Sequence, residues 1–168
     1  MERILVSSCL VGRPVRYDGA AKPLDADLFE QWRGAGRLVP FCPEVSGGLA
    51  VPRPPAEIID GDGHAVLDGS AQIYTTTGRD VTAEFLHGAR QALAAARRTN
   101  ARIAILKEGS PSCGTHRIYD GTFTGARIPG EGVTAALLER EGIHVFSEKE
   151  LPAVDSLLRT LEAAEDPT

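Results

Sequence analysis

The chain has 168 residues, 42% apolar and 24% charged, and its 18 basic and 23 acidic side chains leave a net charge of −5. That length suits one domain with a core of its own, expected over residues 1–164 with a frayed tail at 165–168. Wholesale disorder, a polycation coating DNA or anionic membrane, and a membrane span (roughly 18 consecutive apolar residues) are all excluded. The apolar N-terminal stretch is too short for a signal peptide, so a cytoplasmic protein is expected.

Residues 3–7 read as a buried strand and 8–23 as a long loop broken by Gly12, Pro14, Gly19 and Pro23. Asp25 is placed to cap a helix with Leu24, Leu28 and Trp32 on one face, ended by Gly34 and Gly36. A second strand covers 37–41. The density of Gly and Pro over 42–55 predicts a rigid loop without regular structure. Residues 57–60, 64–67 and 71–75 read as short strands or hairpin arms. A helix follows over 80–98, with Val81, Phe85, Ala89, Leu93 and Ala96 as its apolar face. Then come a strand at 102–107, a tight polar loop at 108–114 and a hairpin excursion at 118–125. A helix through Val133, Ala136, Leu137 and Arg140, a strand at 143–146 and a helix at 150–164 complete the chain. Strands alternating with helices predict an α/β fold: a mostly parallel, Rossmann-like sheet flanked by helices, plus a small hairpin excursion.

The three cysteines stand in a pattern on that fold. Cys9, Cys42 and Cys113 each follow a predicted strand. Parallel strands share one carboxyl edge, and ligands bind in the crevice there, so the three thiols should converge. The bland alternative is three unrelated core cysteines. A structural zinc would need a fourth ligand, from His64, His116 or Glu44, and the chain has no Cys-x-x-Cys knuckle. A [4Fe–4S] cluster usually takes four cysteines; with three, one iron stays open to an external, soft, sulfur-bearing ligand.

Four ordered motifs carry a family resemblance. They are Val6-Ser7-Ser8-Cys9-Leu10-Val11-Gly12 with Arg16-Tyr17-Asp18-Gly19; Cys42-Pro43-Glu44-Val45-Ser46-Gly47-Gly48-Leu49 with Pro52-Arg53-Pro54-Pro55-Ala56-Glu57-Ile58; Ser110-Pro111-Ser112-Cys113-Gly114 with Ile118-Tyr119-Asp120-Gly121-Thr122-Phe123; and Gly132-Val133-Thr134-Ala135-Ala136-Leu137-Leu138. The chain resembles the thiouracil desulfidase (TudS-like) family over about residues 3 to 148. The resemblance implies an enzyme with a [4Fe–4S] cluster on Cys9, Cys42 and Cys113 and one open iron. Its implied substrate is a small thiolated pyrimidine, of the 2-thiouracil or 4-thiouridine monophosphate type. Ala50, Val51, Glu108 and Gly109 depart from the family pattern and bear on substrate preference. With no fused accessory domain and a negative net charge, tRNA is disfavoured, and neither DNA nor membrane is an expected partner.

The expected reaction is hydrolytic, non-redox C–S cleavage with the substrate sulfur bound to the open iron. Glu44, two residues from Cys42, is the acid/base candidate, with Ser110 and Ser112 orienting water or ring. Ser8, Arg13, Arg16, Tyr17 and Arg53 are substrate-binding candidates, the arginines for a phosphate and Tyr17 for stacking. Each has a plainer alternative, such as a loop-capping carboxylate, a serine turn or an Arg53 ion pair. A phosphate cradle at Gly130-Glu131-Gly132 is disfavoured because Glu131 would repel the anion. The rival readings are a three-cysteine zinc hydrolase, a non-enzymatic sulfide or cluster carrier, and a metal-free nucleotide-binding module.

Overall fold

The computed structural model describes residues 1–165. In chain order the elements are β1 (Ile4–Ser7), α1 (Asp27–Gly34), β2 (Leu38–Phe41), α2 (Pro43–Ser46), β3 (Ala56–Ile59), α3 (Gly63–Leu67) and β4 (Gln72–Thr75). They continue with α4 (Thr82–Arg98), β5 (Ile103–Leu106), β6 (Arg117–Tyr119), β7 (Arg127–Pro129), α5 (Val133–Arg140), β8 (His144–Ser147) and α6 (Leu151–Glu165). Four strands form a parallel sheet in the order β2-β1-β5-β8. The pairs β3–β4 and β6–β7 are antiparallel hairpins. The chain therefore adopts the expected α/β fold. Among the described residues no helix is long and apolar enough to cross a membrane.

Strand alternation builds two cores. Ile4, Val6, Ile103 and Ile105 face Phe29 and Trp32 of α1 and Leu151, Val154 and Leu158 of α6. Leu5, Ala104 and Leu106 face Ala92, Leu93 and Ala96 of α4 and Ala135 and Leu138 of α5. Both faces of the sheet are covered, which is why its strands read as apolar runs. The apolar face of α4 serves two clusters: Phe85 and Ala89 pack with Ile58, Ile73 and Ile118 of the hairpins, while Leu93 and Ala96 pack on the sheet.

Several local expectations need correction. Residues 64–67 are helical, because the Asp62 carboxylate accepts the Ala65 N–H at 3.0 Å and caps the turn. Asp25 does not cap α1; Ala26 holds that position with no side-chain cap. The 42–55 segment contains one helical turn, α2, with Pro43 in its first turn, where proline's missing N–H is harmless. Cys9 lies in a 3₁₀ turn, Ser8–Val11, rather than in open loop. Of the expected frayed tail, Glu165 ends α6 and pairs with Arg102 at 2.5 Å; the remainder, 166–168, lies outside the described residues.

The α2 turn is held in place by close backbone approach. A Cβ on Gly88 would sit 1.9 Å from the Pro43 carbonyl oxygen, and one on Gly47 would sit 2.1 Å from that of Glu84. Two hydrogens thus let α4 touch the backbone that carries Cys42 and Glu44. Gly88→Ala should destabilise the chain by about 1–3 kcal/mol, as overpacking does. It should lower the denaturant midpoint without changing the slope. An unchanged midpoint would mean that α2 yields freely.

Candidate active site

The sheet order makes the chain leave β1 on one side, to β2, and return on the other, to β5. That reversal opens a crevice at the carboxyl edge. A cavity of about 260 Å³ occupies it, and its lining includes Cys9, Cys42 and Cys113. Cys9 and Cys113 are buried and Cys42 is half-buried; all three are free thiols. Burial pushes Cys9 up to about 11 and Cys113 up to about 12, and raises Cys42 as well. Thiols so raised are poor nucleophiles as they stand.

Each thiol is positioned by a short rigid device. The 3₁₀ turn after β1 places Cys9, whose carbonyl accepts the N–H groups of Gly12 and Lys22. Cys42 directly precedes α2. The Cys113 loop is the most constrained. Ser110 Oγ accepts the N–H of Ser112 at 3.2 Å and of Cys113 at 2.7 Å. The N–H groups at the start of α5 donate to carbonyls of this loop: Val133 to Pro111, Thr134 and Ala135 to Ser112, Gly132 to Gly114. The amides of Gly132, Val133, Thr134 and Ala135, which a phosphate at this helix start would need, are thereby engaged.

Hydroxyls and one carboxylate surround Cys113. Ser7 Oγ accepts the Lys107 N–H at 2.9 Å and donates to Cys113 Sγ at 3.4 Å. Ser112 Oγ lies 2.9 Å from Glu44 Oε2 and 3.6 Å from Cys113 Sγ, with Ser110 Oγ 3.0 Å away. Glu44 Oε1 accepts from Arg53 Nε at 3.2 Å. Ser8 also lines the cavity, buried next to Cys9.

Two arginine–tyrosine stacks contribute to the lining. Arg16 Cζ lies 5.9 Å from the Tyr17 ring centroid, and Arg127 Cζ lies 5.1 Å from that of Tyr119. The second stack is carried by the β6–β7 hairpin. Buried Glu57 pins the hairpin's loop by accepting the N–H groups of Gly121 and Phe123 at 2.9 and 3.2 Å. Gly121 is required there: its φ is +91° and a Cβ would meet the Ile58 carbonyl oxygen at 2.7 Å. Arg13, a substrate-binding candidate from sequence, is exposed and outside the lining. Sequence reasoning missed Ser7, Glu57 and Arg127 as lining residues. Only Ser7, a polar residue ending an apolar strand, left a signal.

The zinc reading fits poorly. Sulfurs on one tetrahedral zinc, each about 2.3 Å from it, would lie about 4 Å apart. Among the described residues, the group with ligand atoms all within 4.8 Å of one another is His64, Glu131 and Glu139, not the cysteines. Of the expected fourth ligands, His64 contacts Glu131 at 3.2 Å and His116 contacts Glu150 at 2.6 Å, and neither lines the cavity; Glu44 does line it, held by Ser112 and Arg53.

Glu108 closes the Cys113 loop by accepting the N–H groups of Thr115, His116 and Arg117 at 2.8–2.9 Å. Burial alone would raise its carboxyl, but these three donors outweigh burial and hold it below its usual 4.5. A depressed carboxyl stabilises fully above the unfolded value and loses that stabilisation as pH falls through the folded one. Amide exchange at residues 115–117 should therefore stay slow at neutral pH. It should gain an acid-induced opening only once the pH falls below the ordinary carboxylate range. In Glu108→Gln that opening should already be present at pH 7; equal protection in both proteins at pH 7 would refute the role.

Comparison with known proteins agrees with this geometry. The sequence pattern of the 2-thiouracil desulfurase family matches residues 4–150. The uncharacterized protein YbbK of Bacillus subtilis (strain 168) is 51% identical over 150 residues, 88% of this chain and 97% of that protein. The solved structure of the [4Fe-4S]-dependent thiouracil desulfidase TudS superposes with a TM-score of 0.87 at 48% identity, covering 95% of this chain and 99% of that one. The chain belongs to the 2-thiouracil desulfurase family.

Proposed function

We propose that this chain, as one domain over residues 1–164, is a [4Fe–4S]-dependent desulfidase that hydrolyses the C–S bond of a thiolated pyrimidine. Its substrate is 2-thiouracil or a 4-thiouridine nucleotide, and its partner is a small molecule rather than DNA or tRNA. The observation that carries the reading is the meeting of three free thiols with the Glu44–Ser112 pair in one cavity. Cys9, Cys42 and Cys113 would hold the cluster; three thiolates leave one of its four irons without a protein ligand. When bound, the cluster supplies a Lewis-acidic iron that draws electron density through a thiocarbonyl sulfur and opens the adjacent ring carbon to water.

The chain's own residues supply binding and proton transfer. The Tyr17 and Tyr119 rings offer stacking faces for the pyrimidine. Arg16 and Arg127 offer charge for a phosphate substituent. Ser8 and Ser110 line the cavity beside the ligands. Glu44 Oε2, held by the Ser112 hydroxyl, accepts a proton from water as the C–O bond forms. It returns that proton to sulfur as the C–S bond breaks, and the added hydroxyl releases its own proton to solvent as the carbonyl forms, so sulfur departs as hydrosulfide. Water and thiocarbonyl give carbonyl, hydrosulfide and one proton, so no net electrons move.

Anaerobic reconstitution with iron and sulfide should give a brown protein with about four irons per chain, and Cys113→Ala should lose the visible absorbance. A colourless protein holding stoichiometric zinc would refute the reading. Glu44→Gln should keep its iron while kcat for a thiopyrimidine falls by about 10²–10⁴-fold, the range for a lost general base. An unchanged rate would remove Glu44 from proton transfer, and a wild-type protein that binds sulfide without cleaving thiopyrimidines would be a carrier.

A further inference from the structure

Arg53 lines the cavity, yet its guanidinium is turned into the protein. Its side chain is 7% exposed and that of its partner Glu44 15%. Nε donates to Glu44 Oε1 at 3.2 Å, and Nη2 lies 3.2 Å from the same oxygen. Nη2 also donates to the Val15 carbonyl, and Nη1 to the Ala50 carbonyl, both at 3.1 Å. The backbone N–H of Arg53 donates to the Tyr17 carbonyl at 2.7 Å. A guanidinium carries five N–H donors in a fixed fork. Here that fork is shared among a carboxylate and two carbonyls, leaving little capacity for a substrate phosphate.

We infer that Arg53 is a positioning residue: it holds Glu44 so that Oε2 meets Ser112, and it ties the loop carrying Arg16 and Tyr17 to the segment carrying Cys42 and Glu44. The inference rests on reading Glu44 as the acid/base group. The physical reason is rotational. A free carboxylate presents either oxygen, whereas one whose Oε1 is paired with two guanidinium nitrogens presents Oε2 alone. The same side chain crosses from residue 53 to the carbonyl of Val15, one residue before Arg16. It thereby fixes the separation between the proton-transfer group and a substrate-facing loop. Lysine, a point charge, can neutralise Glu44 but cannot span three acceptors in one plane.

The test combines steady-state kinetics of Arg53→Gln, Arg53→Lys, Glu44→Gln and the Glu44→Gln/Arg53→Gln pair, at matched iron per chain, with amide exchange. A misplacement on the order of 1 Å costs about 10²-fold. Arg53→Gln should therefore lower kcat by about 10–10²-fold with KM within about twofold. Arg53→Lys should recover part of the loss. In the Glu44→Gln background Arg53→Gln should add nothing, since the two act as one unit. Exchange over residues 13–20 should quicken in Arg53→Gln. A raised KM at unchanged kcat would make Arg53 a substrate contact and overturn the inference, as would an undiminished loss in the Glu44→Gln background. Should Arg53→Gln fail to fold, Arg53→Lys carries the same comparisons. Should the wild-type chain cleave no thiopyrimidine, the desulfidase reading fails. Exchange then decides for Arg53: quickening supports the tie between segments, and unchanged protection overturns it.

Discussion

Parallel pairing of β1 with both β2 and β5 puts three strand ends on one edge, and everything at the site follows from that register. Cys9, Cys42 and Cys113 are far apart in sequence, yet each lies in the segment that leaves a strand at this edge. Antiparallel pairing would send one of them to the opposite edge. The switch in direction at β1 then separates the outgoing segments enough for a cavity to form between them. Apolar packing on both faces keeps this register, because a one-residue slip would turn Ile4 and Val6 away from Phe29 and Trp32.

Carboxylates do much of the local fixing. Glu108 gathers three backbone N–H groups behind Cys113, and Glu57 gathers two at the tip of the hairpin. Glu148 receives the Lys107 ammonium at 3.0 Å and the Glu108 N–H at 2.9 Å. At the far edge of the sheet, buried Glu2 pairs with Arg102, and Glu162 with Arg37. The acidic surplus of the composition is in part this scaffolding. A carboxylate offers several lone pairs, so one side chain can satisfy several loop amides that no strand or helix would satisfy.

Small residues do the complementary work of close approach. Gly47 and Gly88 bring α2 against α4, and a Cβ on Gly132 would meet the Ser112 carbonyl oxygen at 2.5 Å. These contacts seat the backbone of two of the three cysteine-bearing segments directly on helices. A segment so seated moves only with the helix beneath it, which suits a site whose ligands must keep a fixed spacing before any group is bound.

The sheet, its flanking helices and the convergence of the cysteines were legible in the sequence because each rests on local pattern. Apolar runs mark buried strands, helical spacing marks packed faces, and a cysteine after each strand marks the shared edge. Four ordered motifs also carried the family. The misreadings have physical causes. Residues 64–67 looked extended because a single Asp62 cap outweighs a short ambiguous run. Asp25 satisfied a capping rule that the chain met one residue later without a side chain. The partnership of Glu44 with Ser112 and Arg53 and the Ser7 bond to Cys113 link segments 9 to 106 residues apart. No local spacing encodes such contacts; they exist only once the sheet has closed and the loops have been packed. Element type and cysteine placement thus belong to the sequence, where propensity and periodicity act over a few residues. Which oxygen of Glu44 meets Ser112 and which meets Arg53 belongs to the tertiary structure, because it depends on side chains that only folding brings within reach.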